Sequence, residues 1–266
     1  MKAFALARAA WSYRGFIAGS VRREFQAKYG NAVLGAAWTL LQPLAMIVVY
    51  TVIFAEVMHT KLPGNTSTFA YSIYLCAGIL TWGLFAEILS RAQTMFIDNA
   101  GLIKKISFPR ICLPVIVVLS ALLNFAIIFG LFTAFLVISG TFPGLVFAAI
   151  LPVLLVQVLL AVGLGLLVGL LNVFFRDVGQ LFSILLQFWF WFTPVVYPTS
   201  ILPDPIRELL VWNPMAAVVG AYQTILVDAR APDWASLLPA TIAALVLCVL
   251  GLHTFRRRAG EMVDEL

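Results

Sequence analysis

Six residues late in the chain recur at helical spacing: Gln180, Ser183, Gln187, Phe190, Trp191 and Tyr197. At about 100° per residue they fall, with Pro194, within about 100° of Gln180 on one helix face. Amides exchange hydrogen bonds and flat rings stack, so such a face makes many weak contacts without charge. It lies in the run QFWFWFTPVVYP, residues 187–198, where five aromatic residues are consecutive. Five consecutive rings must surround a helix. Trp189 and Phe192 therefore project to the opposite half and are expected to pack against helices or lipid. For any single ring the competing reading is helix packing or the aromatic belt at headgroup level. Trp38 and Gln42, one turn apart, form a weaker face of the same kind.

Catalytic signatures are missing. No glycine precedes a lysine, which excludes the phosphate-cradling loop GxxxxGK[ST]. HExxH, GxSxG and the dinucleotide fingerprint are also absent. Cys76, Cys112 and Cys248 are widely separated in apolar stretches, and His59 and His253 are isolated, so neither a metal nor a disulfide is indicated. Proton-coupled carriers rely on membrane carboxylates, and the apolar stretches hold only Glu56 and Glu87. Glu56 is expected to reach the interface and Glu87 to pair with Arg91 at i+4. Neutral Gln42, Asn124, Gln157, Asn172, Gln180 and Gln187 are expected mostly to bond across helices, a few of them facing a cavity.

The elements that position these residues are membrane helices. Of 266 residues 62% are hydrophobic and 11% charged, with a mean hydropathy of +1.02. A soluble domain is about 45–50% apolar, so the chain is an integral membrane protein. A span needs about 20 mainly apolar residues. Six stretches qualify, at about 34–57, 69–89, 111–138, 145–175, 178–197 and 237–255. The fourth is over-long, and Pro152 with Gly163, Gly165 and Gly169 lets it kink or pack closely. Arg176–Asp177 is read as a tight turn between the fourth and fifth spans.

Six spans place both termini on one side. That side carries 14 of the 17 Lys and Arg residues, leaving Lys61, Arg207 and Arg230 on the other. The positive-inside rule makes it cytoplasmic, and the basic excess is read as topology rather than nucleic-acid binding. Two segments do not span. Residues 4–29, with Ile17, Val21 and Phe25 at four-residue spacing, read as an amphipathic interface helix, serving as membrane anchor or as docking surface. Residues 199–231 read as an outer re-entrant or interfacial hairpin. In it Asp204-Pro205 and Asn213-Pro214 cap helices at about 206–212 and 215–227. The domain division is thus an interface helix over 1–30 and a transmembrane domain over 31–266.

Three stretches resemble the permeases of type 2 ABC transporters that export polysaccharides, namely O-antigen, capsule and teichoic acid. VRREFQAKYGNAVLGAAWTLLQPL (21–44) is similar to the approach to the first span. NVFFRDVGQLFSILLQFWFWFTPVVYP (172–198) is similar to the fourth-to-fifth-span junction and fifth span, and LLVWNPMAAVVGAYQTIL (209–226) to the outer re-entrant helix. The similarity runs through nearly the whole chain. It implies a homodimer bound to two copies of a separate ATPase, with ATP and magnesium held there and no cofactor on this chain. It also implies a coupling helix between spans two and three, mapping onto residues 98–110 with Asp98, Asn99, Leu102, Ile103, Lys104, Lys105 and Arg110. Arg22 and Arg23 on the interface helix join that ATPase-facing set.

The expected protein is therefore a non-catalytic permease in the bacterial inner membrane, exporting a lipid-linked polysaccharide on an undecaprenyl-type carrier, with O-antigen the first candidate. A glycan offers hydroxyls and C–H faces, which the amides and rings would meet by weak contacts that let a polymer slide. The channel set is Gln180, Ser183, Gln187, Phe190, Trp191 and Tyr197, with Trp38 and Gln42. The first alternative is a type 2 permease for drugs or small lipids. The second is a membrane enzyme of lipid-linked sugars, which needs acidic groups where the cytoplasmic loops supply only Asp98 and Asp177.

Overall fold

The computed structural model describes residues 8, 11–29, 41, 45, 46, 48, 49, 52, 69–105, 108–258 and 260–265. Nearly all of the expected first span lies outside the described residues, as do Trp38, Gln42, Glu56 and the Lys105 side chain. Among the described residues the regular elements are helical: α1 (Arg14–Tyr29), α2 (Ala70–Asp98), α3 (Ala100–Lys105), α4 (Cys112–Ile138), α5 (Ile150–Phe174), α6 (Asp177–Trp191), α7 (Asp204–Leu210), α8 (Pro214–Asp228), α9 (Leu238–Arg258) and α10 (Met262–Glu265). A 3-10 turn, Gly144–Ala149, leads into α5.

Four of these runs are long and apolar enough to cross a membrane: α2, α4, the continuous Gly144–Phe174 stretch, and α9. The pair α7 and α8, bent by 95°, qualifies together as a broken span or a re-entrant loop. The third, fourth and sixth expected spans match helices in the structure to within a few residues, and the second and fifth differ.

The second was expected to end near residue 89, where polar residues begin, yet α2 continues to Asp98. At 1.5 Å per residue it is about 43 Å long, well beyond a hydrocarbon core of about 30 Å. Its polar last third is held by partners from other helices: Arg91 pairs with Glu24, and the Gln93 carbonyl accepts from Asn172 Nδ2 at 2.7 Å.

The fifth was expected as one helix over 178–197, but α6 ends at Trp191. Pro194 has no N–H and disfavours helical backbone at Thr193. The last turn closes through Phe192 N to Phe188 O (3.0 Å) and Thr193 N to Phe190 O (3.1 Å). At 15 residues α6 is about 22 Å long, too short to cross alone.

α5 is the central element, flanked by α2 and α9. Pro152 falls in its first turn, where the missing N–H costs nothing, so the helix runs unbroken through its three glycines. Those glycines allow close approach. A Cβ on Gly169 would stand 2.3 Å from Ala92 O, and one on Gly163 2.4 Å from Cys248 N. Small residues at such contacts let backbones touch where lipid leaves no hydrophobic force between helices. Polar groups bridge the same contacts, as Gln157 Nε2 donates to Thr81 O at 2.8 Å.

α1 lies against the start of α4. Ile17 is buried with Cys112 and Ile116, and Phe16 meets Phe108 at 5.3 Å between ring centres. The expected Glu87–Arg91 pair does not form. Arg91 turns to Glu24 of α1, and Glu87 accepts from Asn124 Nδ2 of α4 at 2.8 Å. Cross-helix partners outcompete the i+4 neighbour because α1 brings a second carboxylate within reach.

Candidate functional site: the three faces of the sixth helix

α6 begins where Phe175, in extended conformation, breaks the chain after α5. Arg176 then makes the turn and Asp177 opens the helix, as the junction reading expected. Asn172 fastens the two helices: its Oδ1 accepts from Gly179 N at 2.8 Å while its Nδ2 reaches α2. A Cβ at Gly179 would lie 2.8 Å from that Oδ1, so only glycine permits the bond without a shift.

One face of α6 is packed inward, with Gly179 and Leu186 buried and Phe182, Trp189 and Phe190 half-buried. Trp189 meets Trp82 and Phe85 edge-on at 6.2 and 5.2 Å, and its Nε1 donates to Asn213 Oδ1 at 2.8 Å. The expected direction of Trp189 is the observed one. Phe192 is largely exposed on another side.

A second face is exposed and apolar: Leu181, Leu185, Phe188 and Phe192. The third is polar. Gln180, Ser183 and Gln187 line an open cavity of about 460 Å³ with Gln93 and Thr94 of α2 and Arg176 of the junction. Ser183 Oγ accepts from Gln93 Nε2 at 3.1 Å and donates to Gly179 O at 2.9 Å. Gln93 Oε1 is buried with no partner among the described residues.

Trp191 continues the polar face one turn above Gln187 and is 61% exposed. Phe190 sits on the border, its ring 5.6 Å from Trp82 on the packed side and 5.3 Å from Trp191 on the polar one. Tyr197 is not on the helix. Placing it by helical rotation was wrong, because the helix stops before Pro194. It nevertheless returns to the site, donating from its hydroxyl to Trp191 O at 2.6 Å.

The segment after α6 is tied to the α7–α8 pair by Asn213, which is 4% exposed. Its Oδ1 caps α8 through Met215 N (3.1 Å), and its Nδ2 donates to Phe192 O (3.1 Å) and Thr193 Oγ1 (3.0 Å). The cap at Asn213 was expected. The one at Asp204 was not found, since α7 starts at Asp204 itself with Pro203 before it.

The segment expected to couple to a partner is two pieces rather than one helix. Asp98 is the last residue of α2, and Asn99 breaks the chain with its Nδ2 donating to Met95 O at 2.8 Å. α3 follows; Ile103 packs on the cluster that holds Phe255 and Met262. Leu102 and Arg110 are half-buried, and Asp98, Lys104, Arg22 and Arg23 are exposed. Arg23 donates to Ser20 Oγ at 2.9 Å.

Sequence reasoning missed Gln93, Thr94 and Arg176 in the polar cavity. Arg176 had a signal, since it precedes Gln180 by four residues and extends the same stripe. The two α2 residues had none, because their approach depends on the Asn172 bridge.

The ABC-2 type transporter family matches residues 17–227. The O-antigen export system permease protein RfbA of Myxococcus xanthus is 30% identical over 98% of this chain and 99% of its own length. A protein of the same description from Klebsiella pneumoniae is 27% identical over 92% of each chain. The polysialic acid transport protein KpsM of Escherichia coli is 22% identical over 91% of this chain and 93% of its own. With a match of that extent across the helices described above, this chain belongs to the ABC-2 type transporter family.

Proposed function

We propose that the chain is the membrane permease of an ABC exporter that moves a lipid-linked polysaccharide, with O-antigen the first candidate. Its relatives carry the names of an O-antigen export system permease protein and a polysialic acid transport protein. The observation that carries the reading to particular residues is the polar face of α6. Gln180, Ser183 and Gln187 lie along an open cavity with Trp191 exposed above them. Amides and a ring in line offer a glycan weak, repeated contacts, and Arg176 is the one charged residue among the described residues that line the cavity. A face with one cation suits a glycan uncharged along its length better than a polyanion.

Two sides of α6 are left exposed among the described residues, which fits a helix lining a passage shared with a second copy. The homodimer, the two ATPase subunits and the undecaprenyl-type carrier belong to this proposal. So do six spans, a re-entrant α7–α8 pair, and placement in the inner membrane with both termini cytoplasmic. Energy would arrive through α3 and α1, where Lys104, Arg22 and Arg23 are exposed. The ATP and magnesium would be held by the partner.

The test is surface polysaccharide in cells carrying Trp191→Ala or Gln187→Ala at normal protein level. Loss of polysaccharide supports the glycan path; unchanged export by both variants favours a permease for drugs or small lipids. Export that survives removal of the cognate ATPase would defeat the coupling scheme.

A further inference from the structure

A second cavity, of about 420 Å³, lies between α1 and the α2–α4 pair, apart from the face of α6. Glu24, Glu87, Arg91, Ser120 and Asn124 supply its polar wall. Glu24 Oε2 is shared by the Arg91 guanidinium and by Ser120 Oγ, the latter at 2.7 Å. That pair satisfies one carboxylate. The other, Glu87, receives only the neutral amide of Asn124 at 2.8 Å.

No cation among the described residues pairs with Glu87, for the ion pairs there are Arg91–Glu24, Arg207–Asp204 and Arg258–Glu261. The first span cannot bring one either, since residues 34–57 contain no Lys or Arg. Among the described residues the cavity therefore holds two carboxylates against one guanidinium, an excess of one negative charge. A charge in a membrane span is costly unless it is paired.

The height of the cavity matters as much as its charge. With Ala70 at the far boundary, a rise of 1.5 Å per residue puts Glu87 about 26 Å and Arg91 about 32 Å along α2. A hydrocarbon core of about 30 Å ends between them. The cavity thus stands at headgroup level on the basic side of the molecule. Val21, Phe25 and Leu123 give it apolar walls. The ligand that fits carries a hydrogen-bonding cation and an acyl tail. Arg91 donates to Glu24 through Nη2, and its other N–H groups, without a partner among the described residues, can meet a phosphate one helical turn from Glu87.

We propose that this cavity binds the headgroup of an aminophospholipid, its primary ammonium on Glu87 and its phosphodiester toward Arg91. The bound lipid wedges between α1 and the membrane helices. The proposal is independent of the glycan reading.

The experiment takes the purified full-length permease in micelles doped equally with phosphatidylethanolamine, phosphatidylcholine and phosphatidylglycerol, and counts retained lipid by native mass spectrometry. Phosphatidylethanolamine is expected to be retained roughly tenfold over the other two, the worth of one charge-assisted hydrogen bond. Glu87→Gln removes the preference at unchanged elution volume. Leu123→Trp fills the cavity without touching a charge and lowers retention of phosphatidylethanolamine to that of the other lipids, which keeps the test decisive should Glu87→Gln misfold. Equal retention by the wild type, a preference for phosphatidylglycerol, or wild-type retention by Leu123→Trp overturns the proposal. Displacement by free phosphoethanolamine at matched concentration would overturn the lipid assignment in favour of a soluble amine.

Discussion

Asn213 is the pin between the aromatic end of α6 and the α7–α8 pair, and Asn213→Ala should be among the most disruptive single substitutions outside the apolar core. Its side chain makes four hydrogen bonds at 2.8–3.1 Å and is 4% exposed. Removing the cap on α8 costs about 1 kcal/mol. Leaving the half-buried Trp189 N–H without an acceptor costs about 1–3 kcal/mol more. These losses share one side chain and do not add fully, so the expected total is about 3 kcal/mol. Equilibrium unfolding in mixed detergent micelles, followed by circular dichroism, measures it. Trp189→Phe keeps an aromatic group, though one smaller than indole, and drops the donor, so the double variant should be less destabilised than the sum of the singles by about 1 kcal/mol. A loss below about 0.5 kcal/mol for Asn213→Ala, or strict additivity in the cycle, would refute the pin.

Gly163→Ala forces a Cβ to 2.4 Å from the backbone nitrogen of Cys248, which cannot yield as a side chain would. It should cost about 1–3 kcal/mol in the same unfolding assay. Ala229 ends α8 in left-handed conformation at φ 51°, so Ala229→Gly should stabilise the protein by about 1 kcal/mol. Glu24→Gln breaks a partly exposed ion pair and should change global stability by less than about 1 kcal/mol. Because Glu24 also holds Ser120, amide exchange across residues 14–29 should nevertheless rise several-fold.

The long apolar stretches announced themselves because length and hydropathy set a span directly. Cys112–Ile138 and Gly144–Phe174 fall where those two properties put them. The end of α2 did not, since its polar residues are stabilised by Glu24 and Asn172, partners far away in sequence. The same limit explains Glu87: the i+4 rule describes an isolated helix, and α1 supplied a competitor. On α6 the rotation argument separated Trp189 from Gln187 and Trp191 because those residues lie within one regular helix. It failed for Tyr197, where Pro194 had already ended the helix, and that proline was visible in the sequence. Asn213 was legible as a cap but not as the acceptor for Trp189, because that contact joins helices 24 residues apart.

The most direct test of the glycan path is site-specific photocrosslinking in cells that are actively exporting. A photoreactive residue at position 187 or 191 should capture polysaccharide, and one at 189, on the packed face, should not. Capture from 189 equal to that from 187 and 191, or none from any of the three during confirmed export, would contradict the assignment of the polar face of α6.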